Sequence, residues 1–162
     1  MSNRFLAAFA IGLACIGIAV GVVFYMQKGA RVGLTGKVLK VRTAPLDEKS
    51  SVAVLDFRFT NPSSYPFVVR SVTVLMEGKD GKQSEGYTVS EVDAKALFQG
   101  LPLLGPKFND TLLYKDRIAP AASEDRMIAA RFDVPEATLG GRKRFLIRIE
   151  EIDGQVTEIS ET

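Results

Sequence analysis

The sequence contains no histidine, no tryptophan and a single cysteine among its 162 residues. Histidine is the commonest general base and zinc ligand, so its absence excludes catalytic triads and metal sites that are built on imidazole. A single cysteine excludes an intramolecular disulfide and a cysteine-ligated metal cluster. The commonest catalytic and metal chemistries are therefore excluded before any motif is considered.

Apolar residues are concentrated in one long run near the N-terminus. Residues 5–26 carry no charge over 22 positions, and as a helix they would extend about 33 Å, which crosses a bilayer core of about 30 Å. A cleaved signal peptide has a shorter apolar core that ends in a small-residue site, whereas this run continues into Lys28. A lipoprotein signal would turn polar after Cys15, but eleven uncharged residues follow it. We therefore expect a short tail over 1–4, a retained signal anchor over 5–26 and a thiol within the bilayer.

Small residues in this predicted helix recur at spacings of three and four, which places them on one face. Two of them form a G-x-x-x-G motif, which allows close helix approach in a membrane. Two interpretations stay open: the face contacts another helix, or it reflects the ordinary abundance of alanine and glycine in membrane helices. The predicted helix-packing stripe consists of Ala7, Ala10, Ala14, Gly17 and Gly21.

The orientation of the predicted span depends on the basic residues near its ends. Only Arg4 and the terminal amine precede the span, whereas five basic residues follow it and favour a cytoplasmic domain. Of those five, only two lie close to the span, and an anchor this near the N-terminus commonly leaves a short tail inside. We expect a single-pass protein of the cell inner membrane with a periplasmic domain, and a cytoplasmic orientation is the alternative. The five basic residues are Lys28, Arg31, Lys37, Lys40 and Arg42.

After a linker over 27–35, the chain alternates between apolar and polar residues at period two, which predicts half-buried strands. The alternation is strongest at residues 55–60, 128–134 and 144–150, and weaker at 39–41 and 72–76. Glycine-containing sequences at 78–81 and 153–154 are typical of hairpin turns. About seven strands with one interruption predict a mainly β domain over 36–162, an immunoglobulin-like antiparallel β-sandwich.

One predicted helix and an apolar insertion, over about 90–116, interrupt the strands. Ser90 and Asp93 form a capping-box-like start and Gly100 is typical of a helix end, so we expect a short helix over 91–99. The following residues are too apolar for an ordinary loop, and no single periodicity explains them. They form a surface that docks a protein or a membrane, or they bury themselves over an open end of the sandwich. The candidate docking surface comprises Leu97, Phe98, Leu101, Leu103, Leu104, Phe108 and Tyr114.

The stretch from Leu55 to Arg70 reads LDFRFTNPSSYPFVVR: a strand that ends in Asn61-Pro62, a few polar residues and a second apolar strand. It resembles the immunoglobulin-like domain of the late-embryogenesis-abundant and water-stress group. Residues 117–123 and 127–135 resemble the later strands of small bacterial extracytoplasmic immunoglobulin-like domains of unassigned function.

This resemblance covers residues 36–77 and 117–155. It implies an immunoglobulin-like fold in a membrane-anchored context, and it brings no catalytic residues with it. The segment between Ser90 and Asp116 departs from the family pattern. The resemblance therefore concerns the framework of the domain, and the insertion has to be interpreted from its own residues.

Polar residues that could support catalysis have simpler structural explanations. Adjacent residues on a strand face opposite sides, so the carboxylate pairs at 47–48, 124–125 and 150–151 do not converge. No phosphate-binding loop, dinucleotide motif or calcium loop is present. The basic residues at 142–144 lack the stacking aromatic residues that nucleic-acid binding requires. We expect no enzyme activity, no cofactor, no metal ion and no nucleic-acid partner.

These features together predict a single-pass membrane protein whose β-sandwich binds a protein partner within or beside the membrane. One alternative is an accessory structural subunit that its transmembrane helix holds in a larger membrane complex. A second alternative is a stress-protective domain that acts by general association, as the family resemblance allows.

Overall fold

A computed structural model describes residues 3–27 and 33–161 of the chain. The chain divides into two compact units, Met1–Val32 and Gly33–Thr162. The first unit contains helix α1, Asn3–Gln27. Its segment Ala8–Tyr25 has a mean hydropathy of 2.4 and is long enough to cross a membrane, as either an anchor or a signal sequence would be. The predicted linker over 27–35 lies largely outside the described residues, which resume at Gly33.

The helix-packing stripe lies on α1, although the side chain of Ala7 falls outside the described residues. Ala10 and Ala14 are exposed within this unit. A Cβ atom added at Gly17 or Gly21 would have open space around it. Every described side chain of α1, over residues 8–25, is exposed in this unit, so the helix-packing stripe stays a prediction.

Over residues 33–161, the second unit is built from eight strands and two short α-helices. The strands are β1 Thr35–Pro45, β2 Ser51–Thr60, β3 Phe67–Glu77, β4 Gln83–Thr88, β5 Arg117–Ile118, β6 Ser123–Phe132, β7 Arg144–Glu151 and β8 Val156–Ser160. The helices are α2 Glu91–Gly100 and α3 Glu136–Gly140, and Pro102–Leu104 forms a 3₁₀ turn.

All pairings between these strands are antiparallel, in the order β1-β2-β6-β4-β3-β7-β8, with β5 on β3. Strand β4 joins the two layers, because Gln83–Gly86 pairs with β3 whereas Tyr87 and Thr88 pair with β6. A Cβ atom at Gly86 would lie 2.6 Å from Cζ of Phe132. Only glycine therefore allows this aromatic ring to pack against the strand where it changes partners.

The main core lies between the two layers and contains the inward-facing residues predicted for β2, β6 and β7. The strand predicted at 39–41 is present as part of β1, but Leu39 is exposed because the register shifts between Val38 and Lys40. Leu55, Phe57 and Phe59 of β2 face Phe145 and other apolar residues of the opposite layer. The ring centroids of Phe132 and Phe145, one from each layer, lie 5.7 Å apart. The antiparallel β-sandwich predicted from the sequence is thus the architecture of the domain.

Several local predictions are confirmed as well. Ser90 caps α2 by accepting a hydrogen bond from the backbone N–H of Asp93 at 3.2 Å. Gly81 and Gly154 lie in turns and have positive φ angles of 78° and 88°, as the predicted hairpins require. The helix α3, the 3₁₀ turn and the two-residue strand β5 were not predicted, because each is too short to show a periodicity.

Candidate functional site

The apolar insertion covers part of the outer face of the β1-β2-β6 layer, so the middle of β2 and the second half of β6 are buried on both sides. A second apolar cluster forms there from Val52 and Val54 of β2, Met127 and Ala129 of β6 and residues of the insertion. Leu104 of the 3₁₀ turn belongs to this cluster and is only 1% exposed. Part of the insertion thus buries itself against the sheet.

A buried ion pair lies beneath the insertion. Arg42 of β1 donates from Nη2 to Oδ2 of Asp56 on β2 at 2.6 Å, and both side chains are less than one-tenth exposed. Nη1 of Arg42 donates to the backbone oxygens of Leu104 and Pro106 at 2.6 and 2.7 Å. Asn109 donates to the other oxygen of Asp56 at 2.8 Å. The charged pair therefore holds the irregular backbone of the insertion onto the sheet.

Two aromatic rings of the insertion pack around the same arginine. The guanidinium carbon of Arg42 lies 5.1 Å from the ring centroids of both Phe98 and Phe108. Such cation–π contacts are strengthened when the cation is removed from water. Nε of Arg42 is buried without a hydrogen-bond partner. The site is consequently an attachment point that binds the insertion, and its remaining hydrogen-bonding capacity is small.

A second charged contact holds the start of α2. Lys107 donates to Oε1 of Glu91 at 2.9 Å, and Lys95 lies 3.4 Å from the same oxygen. The nearby Thr111 hydroxyl and the Lys107 ammonium lower the pKa of Glu91 from 4.5 to about 2. Glu91 therefore stays ionised over the physiological range and connects the helix to the loop that follows it.

Between α2 and the sheet lies an open groove with a volume of about 610 Å³. The groove is lined by side chains from the β1–β2 turn, β2, the β4–α2 connection and α2. Most of these side chains are apolar. The apolar lining consists of Leu46, Val52, Val89, Ala96, Leu97 and Leu101. The polar groups around it come from Tyr87, Thr88, Asp93 and Arg131. An apolar pocket of this size with a few polar groups is typical of a binding site.

The seven residues of the predicted docking surface divide among several environments. Leu97 and Leu101 line the groove. Phe98 and Phe108 flank Arg42, and Leu104 is buried in the second cluster, where it offers no surface. Leu103 and Tyr114 do not line the groove and are 77% and 62% exposed. The groove residues outside the insertion, such as Val89 and Leu46, were not identified from the sequence, because only the folded chain brings them to α2.

Of the six adjacent carboxylates noted in the sequence, four make polar contacts with other side chains: Asp47, Glu124, Asp125 and Glu150. Asp125 pairs with Arg58, which lowers the pKa of Asp125. Glu150 contacts Arg70 at 3.2 Å, and burial together with Asp153 raises the pKa of Glu151. Over residues 3–27 and 33–161, no group of three or more Asp, Glu or Cys side chains is arranged to hold a metal ion.

Comparison with known proteins provides no argument for the function of this domain. No family model matches this chain, and no curated protein matches it. Among solved structures it is similar to an uncharacterized β-sandwich protein from Clostridium difficile 630, with 12% sequence identity and a TM-score of 0.40. That alignment covers 83% of this chain and 91% of the other. The function therefore has to be argued from the residues of this domain.

Proposed function

We propose that this protein is a single-pass membrane-anchored binding protein with no catalytic activity of its own. Its β-sandwich domain receives an apolar side chain of a protein partner in the groove between α2 and the sheet. The observation that carries this proposal is the groove itself: Leu97, Leu101 and Val89 line a concave surface that the insertion leaves open.

The groove has the composition of a binding hot spot. Apolar side chains form most of its lining, while Asp93, Arg131 and the exposed Tyr87 provide polar groups of both charges and a hydroxyl. Protein interfaces commonly place an aromatic or aliphatic anchor in such a pocket and satisfy polar groups around it. Since α2 is fixed at its start by Glu91 and Lys107, the pocket would be preformed and would lose little entropy on binding.

We place the domain with the immunoglobulin-like sandwiches of the late-embryogenesis-abundant and water-stress group. Support comes from the Asn61-Pro62 sequence that follows β2. The Asn61 side chain is fully buried and donates to the backbone oxygens of Tyr65, Ile118 and Ala119. Asn61 thus joins the β2–β3 and β5–β6 connections. This structural role explains why an asparagine stands in the Asn61-Pro62 sequence on which the resemblance rests.

Substitution at Ala96 tests the groove. Ala96 is exposed on α2 and lines the groove, whereas Gln99 is exposed on the same helix and does not line it. A photo-cross-linking residue at position 96, in native membranes, should give one discrete product, and the same residue at 99 should give none. With that partner purified, Ala96→Glu should weaken binding at least about tenfold because it places a charge in the apolar pocket. Gln99→Glu should leave the affinity unchanged.

The same experiment separates the alternatives. Both glutamates have good helix propensity, so thermal unfolding should be similar in the two variants and in the unaltered protein. If the partner is lost with Gly17→Leu and Gly21→Leu but not with Ala96→Glu, the protein is an accessory subunit held by its helix. If no stoichiometric partner is found at position 96, the groove does not bind protein and a stress-protective role gains support.

We further propose that the anchor lies in the cell inner membrane with the domain in the periplasm. Lys79 is exposed in the turn between β3 and β4, so a Lys79→Cys variant provides a reactive thiol on the domain. A membrane-impermeant maleimide should label this variant in intact cells. Labelling only after lysis would place the domain in the cytoplasm. Cys15 of α1 serves as an internal control, because a thiol within the bilayer should stay unlabelled in both cases.

A further inference from the structure

We infer that one end of the β-sandwich rests on the surface of the membrane in which the protein is anchored. This inference rests on the proposed anchoring and adds an orientation for the domain. The end in question carries the start of β1, the β2–β3 connection, the β5–β6 connection and the β7–β8 turn. These connections, together with the exposed Val156 that follows the turn, are called the anchor-side end below.

Strand register brings these segments together. Thr35 pairs with Thr60, which pairs with Ser123, so the start of β1 lies beside the β2–β3 and β5–β6 connections. Asn61 accepts a hydrogen bond from Ala121 through its backbone oxygen at 2.9 Å. The N–H of Ile152 donates to the backbone oxygen of Val68 at 3.0 Å, which joins the β7–β8 turn to the start of β3. The connections thus form one continuous end of the domain.

The chain enters the domain at this same end. Gly33 and Leu34 precede β1, and the N–H of Leu34 donates to Oγ1 of Thr157 on β8 at 3.1 Å. Only five residues, 28–32, separate Gly33 from Gln27 at the end of α1, and a stretch of this length reaches at most about 20 Å. A membrane that holds α1 would therefore keep the anchor-side end close to its surface.

Charge distribution distinguishes this end from the opposite one. The connections over 61–66, 119–122 and 152–155 contain one charged residue, Asp153, in fourteen positions. At the opposite end, the connections over 46–50, 78–82 and 133–143 contain ten charged residues in twenty-one positions. The anchor-side end therefore lacks the charge that covers the opposite end, and an exposed surface of this kind with apolar side chains on it is typical of a protein or membrane contact.

The exposed side chains at the anchor-side end suit a lipid interface. Tyr65 is 58% exposed, and Ile152 and Val156 are each 51% exposed. Pro62, Pro120 and Ala121 are exposed beside them. Tyrosine is enriched at the boundary between lipid and water, where its ring lies among acyl chains and its hydroxyl among headgroups. Apolar side chains on such a surface enter the headgroup region to about 5–10 Å.

Single tryptophans test this inference, because the natural chain contains none. Three variants of the whole chain are compared: Tyr65→Trp at the anchor-side end, Lys79→Trp at the opposite end and Tyr25→Trp in α1. Each variant is reconstituted in phosphatidylcholine vesicles whose lipids carry bromine on the upper part of the acyl chain. Tyr65→Trp emission should be quenched by the brominated lipid and shifted to the blue. Lys79→Trp emission should show neither quenching nor a blue shift. High salt should not change this result, because the surface is nearly uncharged. Ile152→Trp provides a second probe of the same end.

The outcomes distinguish the inference from the anchoring on which it rests. If Tyr25→Trp is quenched while Tyr65→Trp and Ile152→Trp are not, the anchor is inserted but the inference is overturned, and this end is left for a protein partner or a second copy of the chain. Equal quenching of Tyr65→Trp and Lys79→Trp also overturns it, since the domain would then have no preferred end. If Tyr25→Trp is unquenched and the protein does not float with the vesicles, both the anchoring and the inference fail.

Discussion

Replacing Arg42 with alanine is expected to lower the free energy of unfolding by about 3–5 kcal/mol, the usual cost of removing one partner of a buried ion pair. Asp56 would keep its charge in a site that is only 3% exposed, with Asn109 as its remaining side-chain donor. The backbone oxygens of Leu104 and Pro106 would also lose their donor. Urea unfolding of the full chain in detergent, followed by near-ultraviolet circular dichroism, measures the loss.

Detachment of the insertion from a sandwich that stays folded would set an upper limit on this loss. Arg42 holds the insertion rather than the main core between the layers, so detachment of the insertion would relieve the unpaired groups. Trypsin cleavage after Lys107 reports this event, since the Lys107 side chain is only 17% exposed in the folded protein. We therefore expect Arg42→Ala to be cleaved there faster than the unaltered protein, under conditions where the sandwich is still folded.

Two further variants distinguish charge from geometry. The double variant Arg42→Met with Asp56→Leu removes both charges and should recover a large part of the lost stability, because apolar residues replace a buried pair well. Recovery should be incomplete, since the backbone oxygens of Leu104 and Pro106 stay unpaired. Arg42→Lys keeps the charge but cannot serve three acceptors through a planar fork. Its free energy of unfolding should therefore lie between those of Arg42→Ala and the double variant. If the double variant is no more stable than Arg42→Ala, the ion pair is not what holds the insertion.

Local patterns in the sequence predicted the parts of the fold that local physics determines. Alternation at period two identified β2, β6 and β7 because each has one face in the main core. The Ser90–Asp93 cap and the glycine turns were predictable because backbone geometry selects those residue types. The alternation at 55–60 places Asp56 and Arg58 on the face away from the main core, where Asp56 is buried beneath the insertion and Arg58 is exposed.

The attachment of the insertion could not be predicted in the same way. Arg42 was counted among the basic residues beside the membrane span, yet it pairs with Asp56 beneath the insertion. A signal was present: residues 52–55 and 127–130 are continuously apolar, which indicates strands that are buried on both faces. The second face is covered by Phe98 of α2 together with Leu104 and Phe108, and the last two lie on irregular backbone that shows no period. The groove is a product of the same tertiary packing.

Replacing Asn61 with alanine is expected to cost about 2–3 kcal/mol of stability, because a buried donor that serves several backbone oxygens is removed. Nδ2 of Asn61 lies 2.8 Å from the oxygen of Tyr65 and 3.2 Å from that of Ile118. Ser63→Ala is the matched control in the same loop, since its hydroxyl makes only exposed local contacts. Surface changes of that kind usually stay within about 0.5 kcal/mol. Comparable urea midpoints for the two variants would contradict the assigned role of Asn61.

Asn61→Asp separates the donor from the acceptor of this side chain. The aspartate keeps an oxygen that can accept from the N–H of Ser63, as Oδ1 of Asn61 does at 3.1 Å. It offers no donor to the surrounding backbone oxygens, and at neutral pH it places a negative charge among them, so it should destabilise more than alanine. A protonated carboxyl regains one donor, so the folded state should raise the pKa of this aspartate above its unfolded value. The variant should therefore recover stability relative to Asn61→Ala as the pH falls through that raised pKa, and a constant difference between the two would show that the donor is not what matters.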